Sequence, residues 1–206
     1  MHLELSTISS VFKKSDYIFY LVKRNTFGDP HAYMPTENSK SASSQLGKIV
    51  RARRTALELT QQGLADLTGF SRGYVATLER TSGNVRLSTL DTLASALMVD
   101  VVDLFGMTKS REVRTPNQKA NIRAACHVRR LRKKAGLSQE RLSEAAGLFR
   151  TYVTELESLV SNPVLSKLEA IADVLDVPVK SLLKSASERA YEERLAQRST
   201  RAPIPG

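Results

Sequence analysis

A chain of 206 residues with one cysteine, no tryptophan and 6% aromatic residues has room for one large domain or two small ones, which excludes a large multidomain enzyme. Its 41% hydrophobic and 25% charged residues are a globular composition, neither disordered nor fibrous. Against 21 Asp and Glu stand 31 Lys and Arg, and the net charge of +10 makes polyanions the expected partners, nucleic acid or an anionic membrane.

Taken in chain order, residues 1–45 read as an N-terminal arm and linker, partly disordered. Their apolar run Tyr17-Ile18-Phe19-Tyr20-Leu21-Val22 is far below the roughly 18 to 20 residues of a spanning helix, and no small-residue cleavage site follows it. The expectation is a cytoplasmic protein with no membrane partner. Phe12, Tyr17, Phe19 and Tyr20 suit a strand or an arm that packs on a partner, while Ser39 to Ser44 has linker composition. A start at Met34 is the alternative, and it would leave the preceding residues untranslated.

From residue 46 the chain repeats itself. Residues 46–105 and 124–183 align without a gap at a constant offset of 78, the mark of one domain used twice. Most shared residues are apolar or turn positions, among them Val50/Val128, Leu64/Leu142, Gly69/Gly147, Val75/Val153, Asn84/Asn162 and Leu90/Leu168. Each copy reads as five short helices. A first amphipathic stretch ends near Leu57 or Ala135, where Gly136 is a natural stop. Thr60 and Ser138 suit the N-cap of a second helix whose inner face carries Leu64 and Leu67, or Leu142 and Ala145. A third starts after Ser71 or Phe149 and turns Val75 and Leu78, or Val153 and Leu156, inward. Ser88 with Asp91, and Ser166 with Glu169, have capping-box spacing for a fourth, and the turns Val101–Leu104 and Val179–Leu182 close each bundle. No long period-two alternation occurs, so the class is all-α. Between the copies, residues 106–123 read as a mobile basic linker, with Lys109, Arg111, Arg114, Lys119 and Arg123 against Glu112 alone. Residues 184–206 read as a terminal helix, with Glu188, Arg189, Glu192, Glu193 and Arg194 at helical spacing, and a fraying tail.

Two short helices joined by a Gly-bearing turn form a helix-turn-helix. The segments Leu59-Thr60-Gln61-Gln62-Gly63-Leu64-Ala65, Gly69-Phe70-Ser71-Arg72-Gly73-Tyr74-Val75 and Leu78-Glu79 resemble the Xre/Cro-type helix-turn-helix regulators of bacteria and phages. So do Leu137-Ser138-Gln139-Glu140-Arg141-Leu142, Gly147-Leu148-Phe149-Arg150-Thr151-Tyr152-Val153 and Leu156-Glu157 with Asn162-Pro163. This second copy is most similar to controller proteins of restriction-modification systems and to small plasmid or phage repressors. The resemblance covers about 120 residues and implies two tandem five-helix, lambda-repressor-like bundles joined by the basic linker.

The expected partner is therefore double-stranded DNA. The third helix exposes Arg72, Gly73, Ala76, Thr77 and Arg80, or Arg150, Thr151, Thr154, Glu155 and Ser158, and a helix of that width enters a major groove. Arginine can pair with guanine, a threonine methyl can touch thymine, and Glu155 can accept from a cytosine amino group. Gln61 and Gln139, at the start of the second helix, suit phosphate contacts. The resemblance implies that these glutamines and the third-helix starts, Ser71 included, are the contact points. Tyr74 and Tyr152 either touch phosphate or pack over the turn. The resemblance also implies that Arg54 with Glu79, and Arg132 with Glu157, are structural ion pairs, and Cys126 reads as a small packed hydrophobe. Leu159 and Val160 stand where a polar loop is usual; with the N-terminal arm they are candidate surfaces for a protein partner or for homodimerisation.

The function expected is a sequence-specific DNA-binding transcription regulator acting as a repressor, both copies reading successive major grooves. An antitoxin-type autorepressor and a protein-binding antiactivator or bridging module, with one or both domains off DNA, are the alternatives. No Gly-rich phosphate loop or Cys/His cluster points to an enzyme, a metal or another cofactor.

Overall fold

A computed structural model of the chain describes residues 37–81, 84–106 and 118–199. The aromatic segment before Met34 and the linker residues Lys109, Arg111, Glu112, Arg114 and Pro116 lie outside them. The first copy comprises α1 (Glu37–Ala56), α2 (Gln61–Thr68), α3 (Arg72–Thr81), α4 (Leu87–Ala96) and a 3-10 turn, Val101–Phe105. The second comprises α5 (Ala120–Lys134), α6 (Gln139–Ala145), α7 (Tyr152–Glu157), α8 (Leu165–Val174) and a 3-10 turn, Val179–Leu182, and α9 (Glu188–Ser199) follows. The described residues are all-α, with one isolated antiparallel bridge, Arg86 to Val164.

The local signals act as their chemistry dictates. Thr60 Oγ1 accepts from Gly63 N at 2.9 Å and Ser138 Oγ from Arg141 N at 3.1 Å, so each starts its helix as an N-cap, a bond that stabilises by about 1 kcal/mol. Gly69, at φ 72°, ends α2 in the left-handed conformation that glycine adopts without a Cβ clash. Leu46, Val50, Leu64, Val75, Leu78, Leu90 and Leu93 fill the first bundle, and Val128, Leu142, Val153, Leu156, Leu168 and Ile171 the second. All belong to a single apolar cluster that runs through both copies. Leu67 departs from the expected inner face: it is 59% exposed, on a cleft shared with Met98, Leu159 and Val160.

Two boundaries shift. The Ser-rich stretch 39–44 continues α1 rather than forming a linker, because a helix anchored by buried Leu46 and Val50 propagates at one hydrogen bond per residue. At the other end α5 begins at Ala120, and Arg123 is no mobile linker charge but 1% exposed. Its Nη1 and Nη2 donate to the Asp100 carboxylate at 2.8 and 2.9 Å, its Nε to Gln118 O at 2.9 Å and its Nη1 also to Leu183 O at 3.0 Å. The C-terminal helix α9 packs on α5. Tyr191 Oη accepts from Lys119 N at 3.0 Å, Arg194 Nη1 donates to Glu157 O at 2.9 Å, and the half-buried Cys126 thiol donates to Ala190 O at 3.3 Å.

The expected capping boxes of the fourth helices do not form. Helix α4 starts after Arg86 and α8 after Val164, neither with a side-chain cap of its own. Their first N–H groups are satisfied by the other copy instead. Leu87 N donates to Pro163 O at 2.9 Å, and Leu165 N to Val85 O at 2.8 Å. Ser88 N donates to Asn162 Oδ1 at 3.4 Å, and Ser166 N to Asn84 Oδ1 at 3.1 Å. Asp91, freed from the box, accepts from Ala120 N at 2.9 Å and so caps α5. Helix α4 packs on α5, and α8 on α1.

Candidate nucleic-acid interface

Each helix-turn-helix is held on its bundle by a buried ion pair. Arg54 Nε and Nη2 meet the Glu79 carboxylate at 2.6 and 3.0 Å, and Arg54 Nη1 reaches Leu59 O at 2.7 Å. Arg132 Nε and Nη2 meet Glu157 at 2.7 and 2.9 Å, and Arg132 Nη1 reaches Leu137 O at 2.9 Å. The fork thus ties the first helix to the end of the third and to the loop before the second, the structural role implied by the resemblance. Burial opposes ionisation of Glu79, but hydrogen bonds from Arg54 and Gln61 outweigh it and hold the carboxyl below the usual range.

Gln61 and Gln139 extend these pairs. Gln61 Nε2 donates to Glu79 Oε2 at 3.1 Å, and Gln139 Nε2 to Glu157 Oε2 at 2.8 Å. Their amides stand half-buried at the start of the second helix, oriented by the carboxylates.

On the outer face of the first copy, Ser71, Arg72, Gly73, Thr77 and Arg80 are exposed together along α3. Ser71 Oγ also accepts from Tyr74 N at 3.1 Å, capping α3, which leaves the hydroxyl proton as a donor. Tyr74, 39% exposed, meets Phe70 edge-to-face with ring centroids 5.0 Å apart. The first copy's tyrosine therefore packs by its ring beside the turn while staying at the surface.

The second copy differs. Helix α7 starts only at Tyr152, so Arg150 and Thr151 stand in the turn before it rather than in the expected helix. Arg150 Nη2 pairs with Glu140 Oε2 at 2.7 Å, Thr151 Oγ1 donates to Glu155 Oε1 at 2.9 Å, and Thr154 Oγ1 donates to Gln139 Oε1 at 3.2 Å. Its polar side chains thus bind one another across the outer face. Tyr152 leaves that face: it is 7% exposed, its hydroxyl is buried with no hydrogen-bond partner, and Lys167 Nζ stands 4.9 Å from its ring centroid. Burial, with the Glu155 charge beside it, pushes this phenol up to about 12. It packs under the turn and does not reach outward to a phosphate.

Glu140 is the residue sequence reasoning missed. Its counterpart in the first copy is Gln62, which donates to Asp66 Oδ1 at 2.7 Å and leaves Arg72 without a carboxylate at that place. The only signal was the Gln-to-Glu exchange between the copies. Leu159 is half-buried against the core and Val160 is 46% exposed; both line the cleft between the copies. Among the described residues no helix is long and apolar enough to cross a membrane.

The family model "Helix-turn-helix domain" matches residues 45–104 and the model "Helix-turn-helix" matches residues 128–182. The chain is 42% identical over 59 residues to the control protein C.SmaI of Serratia marcescens, covering 29% of this chain and 70% of that protein. It is 36% identical over 69 residues to the HTH-type transcriptional regulator SinR of Bacillus licheniformis, covering 33% of this chain and 62% of that relative's length. It is 39% identical over 61 residues to the immunity repressor protein of Bacillus phage phi105, covering 30% of this chain and 42% of that protein. No solved structure matches. With matches to both copies, and a relative covered over more than two thirds of its length, the chain belongs to the Xre-type helix-turn-helix regulators and carries two of their domains in tandem.

Proposed function

We propose that the chain is a sequence-specific double-stranded-DNA-binding repressor whose two helix-turn-helix units dock in successive major grooves. The observation that carries this reading is the face of α3, where Ser71, Arg72, Thr77 and Arg80 are exposed side by side while the sole carboxylate of that helix, Glu79, is buried in its ion pair. A short helix with an outward cationic edge fits the width and potential of a major groove. Ser71, Arg72, Gly73, Tyr74, Thr77 and Arg80 are the contacts proposed in the first copy, and Gln139, Arg150, Thr151, Thr154 and Glu155 in the second, with Gln61 and Gln139 positioned for phosphate. Tethering makes the second docking intramolecular and raises avidity without a new kind of contact. Repression follows where the site overlaps a promoter.

The test is footprinting on DNA upstream of the chain's own gene, followed by Arg72→Ala and Arg150→Ala measured separately. Each loses affinity for the protected site if both units bind. If only Arg72→Ala matters, the second unit is an interaction module; with no protected site at low salt, DNA binding is abandoned. A specific observation favours the interaction reading for the second unit, namely Glu140 neutralising Arg150 on its outer face.

A further inference from the structure

The contacts between the copies are reciprocal. Val85 bonds Leu165 while Leu87 bonds Pro163, and Asn84 bonds Ser166 while Asn162 bonds Ser88. Adding 78 to the first-copy member of each pair gives the second-copy member of the other. The bridged residues Arg86 and Val164 are themselves equivalents. Reciprocity of this kind is the signature of a two-fold rotation: a translational repeat would present different surfaces in each contact. The helix packing obeys the same exchange, α4 on α5 and α8 on α1. One chain thus builds internally the isologous interface that two identical subunits would otherwise supply.

The axis bears directly on the recognition elements. Helix α3 ends at Thr81 and α7 at Glu157, three and five residues before Asn84 and Asn162, which make the reciprocal contacts between the copies. The two outer faces are therefore related by the same rotation. Double-stranded DNA has local two-fold axes perpendicular to its length, so a two-fold pair of readers meets its half-sites on opposite strands, inverted, about 34 Å apart when one helical turn separates them. The readers are not identical, however. Gly73, Ala76, Thr77 and Arg80 face Thr151, Thr154, Glu155 and Ser158 in the equivalent places, and Gln62 stands where Glu140 neutralises Arg150.

Resting on the proposed DNA binding, we infer that a single chain recognises an inverted pair of unlike half-sites, a non-palindromic operator read with fixed polarity. The first copy holds the more strongly bound half. One chain occupies the site, because the surface around the axis is already used within the chain.

The experiment is selection of the full chain against a randomised 40-base-pair duplex library, followed by native mass spectrometry on the enriched duplex. The expected result is two dissimilar motifs in inverted orientation, with one chain per duplex. Direct motifs, a lone motif or two chains per duplex overturn the inference while leaving DNA binding intact; no enrichment over the starting library overturns the functional reading itself. A second selection uses a variant combining Glu140→Gln, Phe149→Ser, Thr151→Gly, Thr154→Ala, Glu155→Thr and Ser158→Arg, which gives the second copy the exposed residues of the first copy's outer face. The recovered motif becomes palindromic if the inference holds. A variant that folds by circular dichroism and still selects the original unlike pair contradicts it.

Discussion

At the scale of single residues, the duplication supplies its own controls. Gly136 ends α5 at φ 68°, a conformation open to glycine at no steric cost, whereas the equivalent Glu58 is exposed and sits at φ 55°. Glu58→Gly should therefore raise stability by roughly 0.5–1 kcal/mol, the left-handed strain relieved less the added freedom of the unfolded chain; a denaturant midpoint that falls contradicts this. The Arg150–Glu140 pair gives a second comparison. Both side chains are more than half exposed, so the pair adds little to stability, but it masks a cation on the outer face. Glu140→Gln should leave the unfolding midpoint within error and tighten DNA binding severalfold at low salt. The slope of log affinity against log salt should steepen by about one. An unchanged slope would mean that Arg150 stays off the phosphates. Core positions such as Val50, Leu64 and Val75 and the N-caps Thr60 and Ser138 were legible in the sequence because burial and N-caps follow from one residue type at one spacing, though Leu67, at the same kind of spacing, is exposed. Tyr152 was not: a tyrosine suits either side of a surface, and only the late start of α7 turns this one inward.

At the scale of elements, the third helix depends on its ion pair, and the pair titrates. Glu79 is held below its ordinary range in the fold, so the unfolded chain takes up its proton first as pH falls. Its contribution is complete above the unfolded value near 4.5 and is lost as pH drops through the lower, folded value. Stability should therefore fall on acidification below about pH 4.5, and Glu79→Gln should flatten that slope while lowering stability at pH 7 by about 3 kcal/mol, the scale of a broken buried pair. Urea titrations at a series of pH values check both, and an unaltered acid slope would assign the titration elsewhere. The pairing with Arg54 was legible through the family resemblance, which implies it in both copies, and Arg132 with Glu157 repeats it. The caps of α4 and α8 were not. Ser88 and Asp91 have capping-box spacing, but spacing within one copy carries no information about Asn162 and Pro163 of the other. Asn84→Ala or Asn162→Ala should accordingly cost about 1 kcal/mol each through a lost helix cap, and each should loosen the contact between the copies as well.

At the scale of the molecule, the two copies share one apolar cluster and are fastened off the axis by a contact that symmetry does not repeat. Arg123 and Asp100 have Gln45 and Pro178 as their equivalents, so this fork occurs on one side alone. The Arg123 side chain is 1% exposed and that of Asp100 18%, and the carboxylate also caps the 3-10 turn by accepting from Val102 N at 3.0 Å. Because the cluster is continuous, heating should unfold residues of both copies in a single transition, with calorimetric and van't Hoff enthalpies equal. The two halves of the fork should then differ when cut. Asp100→Ala takes the counter-charge from a buried guanidinium, leaving it only neutral acceptors such as the Gln118 and Leu183 carbonyls, and removes the cap, a cost of about 3–5 kcal/mol. Arg123→Met keeps the hydrocarbon stem in the core and leaves behind a carboxylate that still has its Val102 bond and some access to water, so it should cost less. Asp100→Ala is also the change expected to split the transition, since the fork joins the closing turn of one copy to the first helix of the next. Two transitions in the unaltered chain would show that the copies fold independently. The reverse order of the two variants would show that the carboxylate, rather than the guanidinium, is the group that burial threatens.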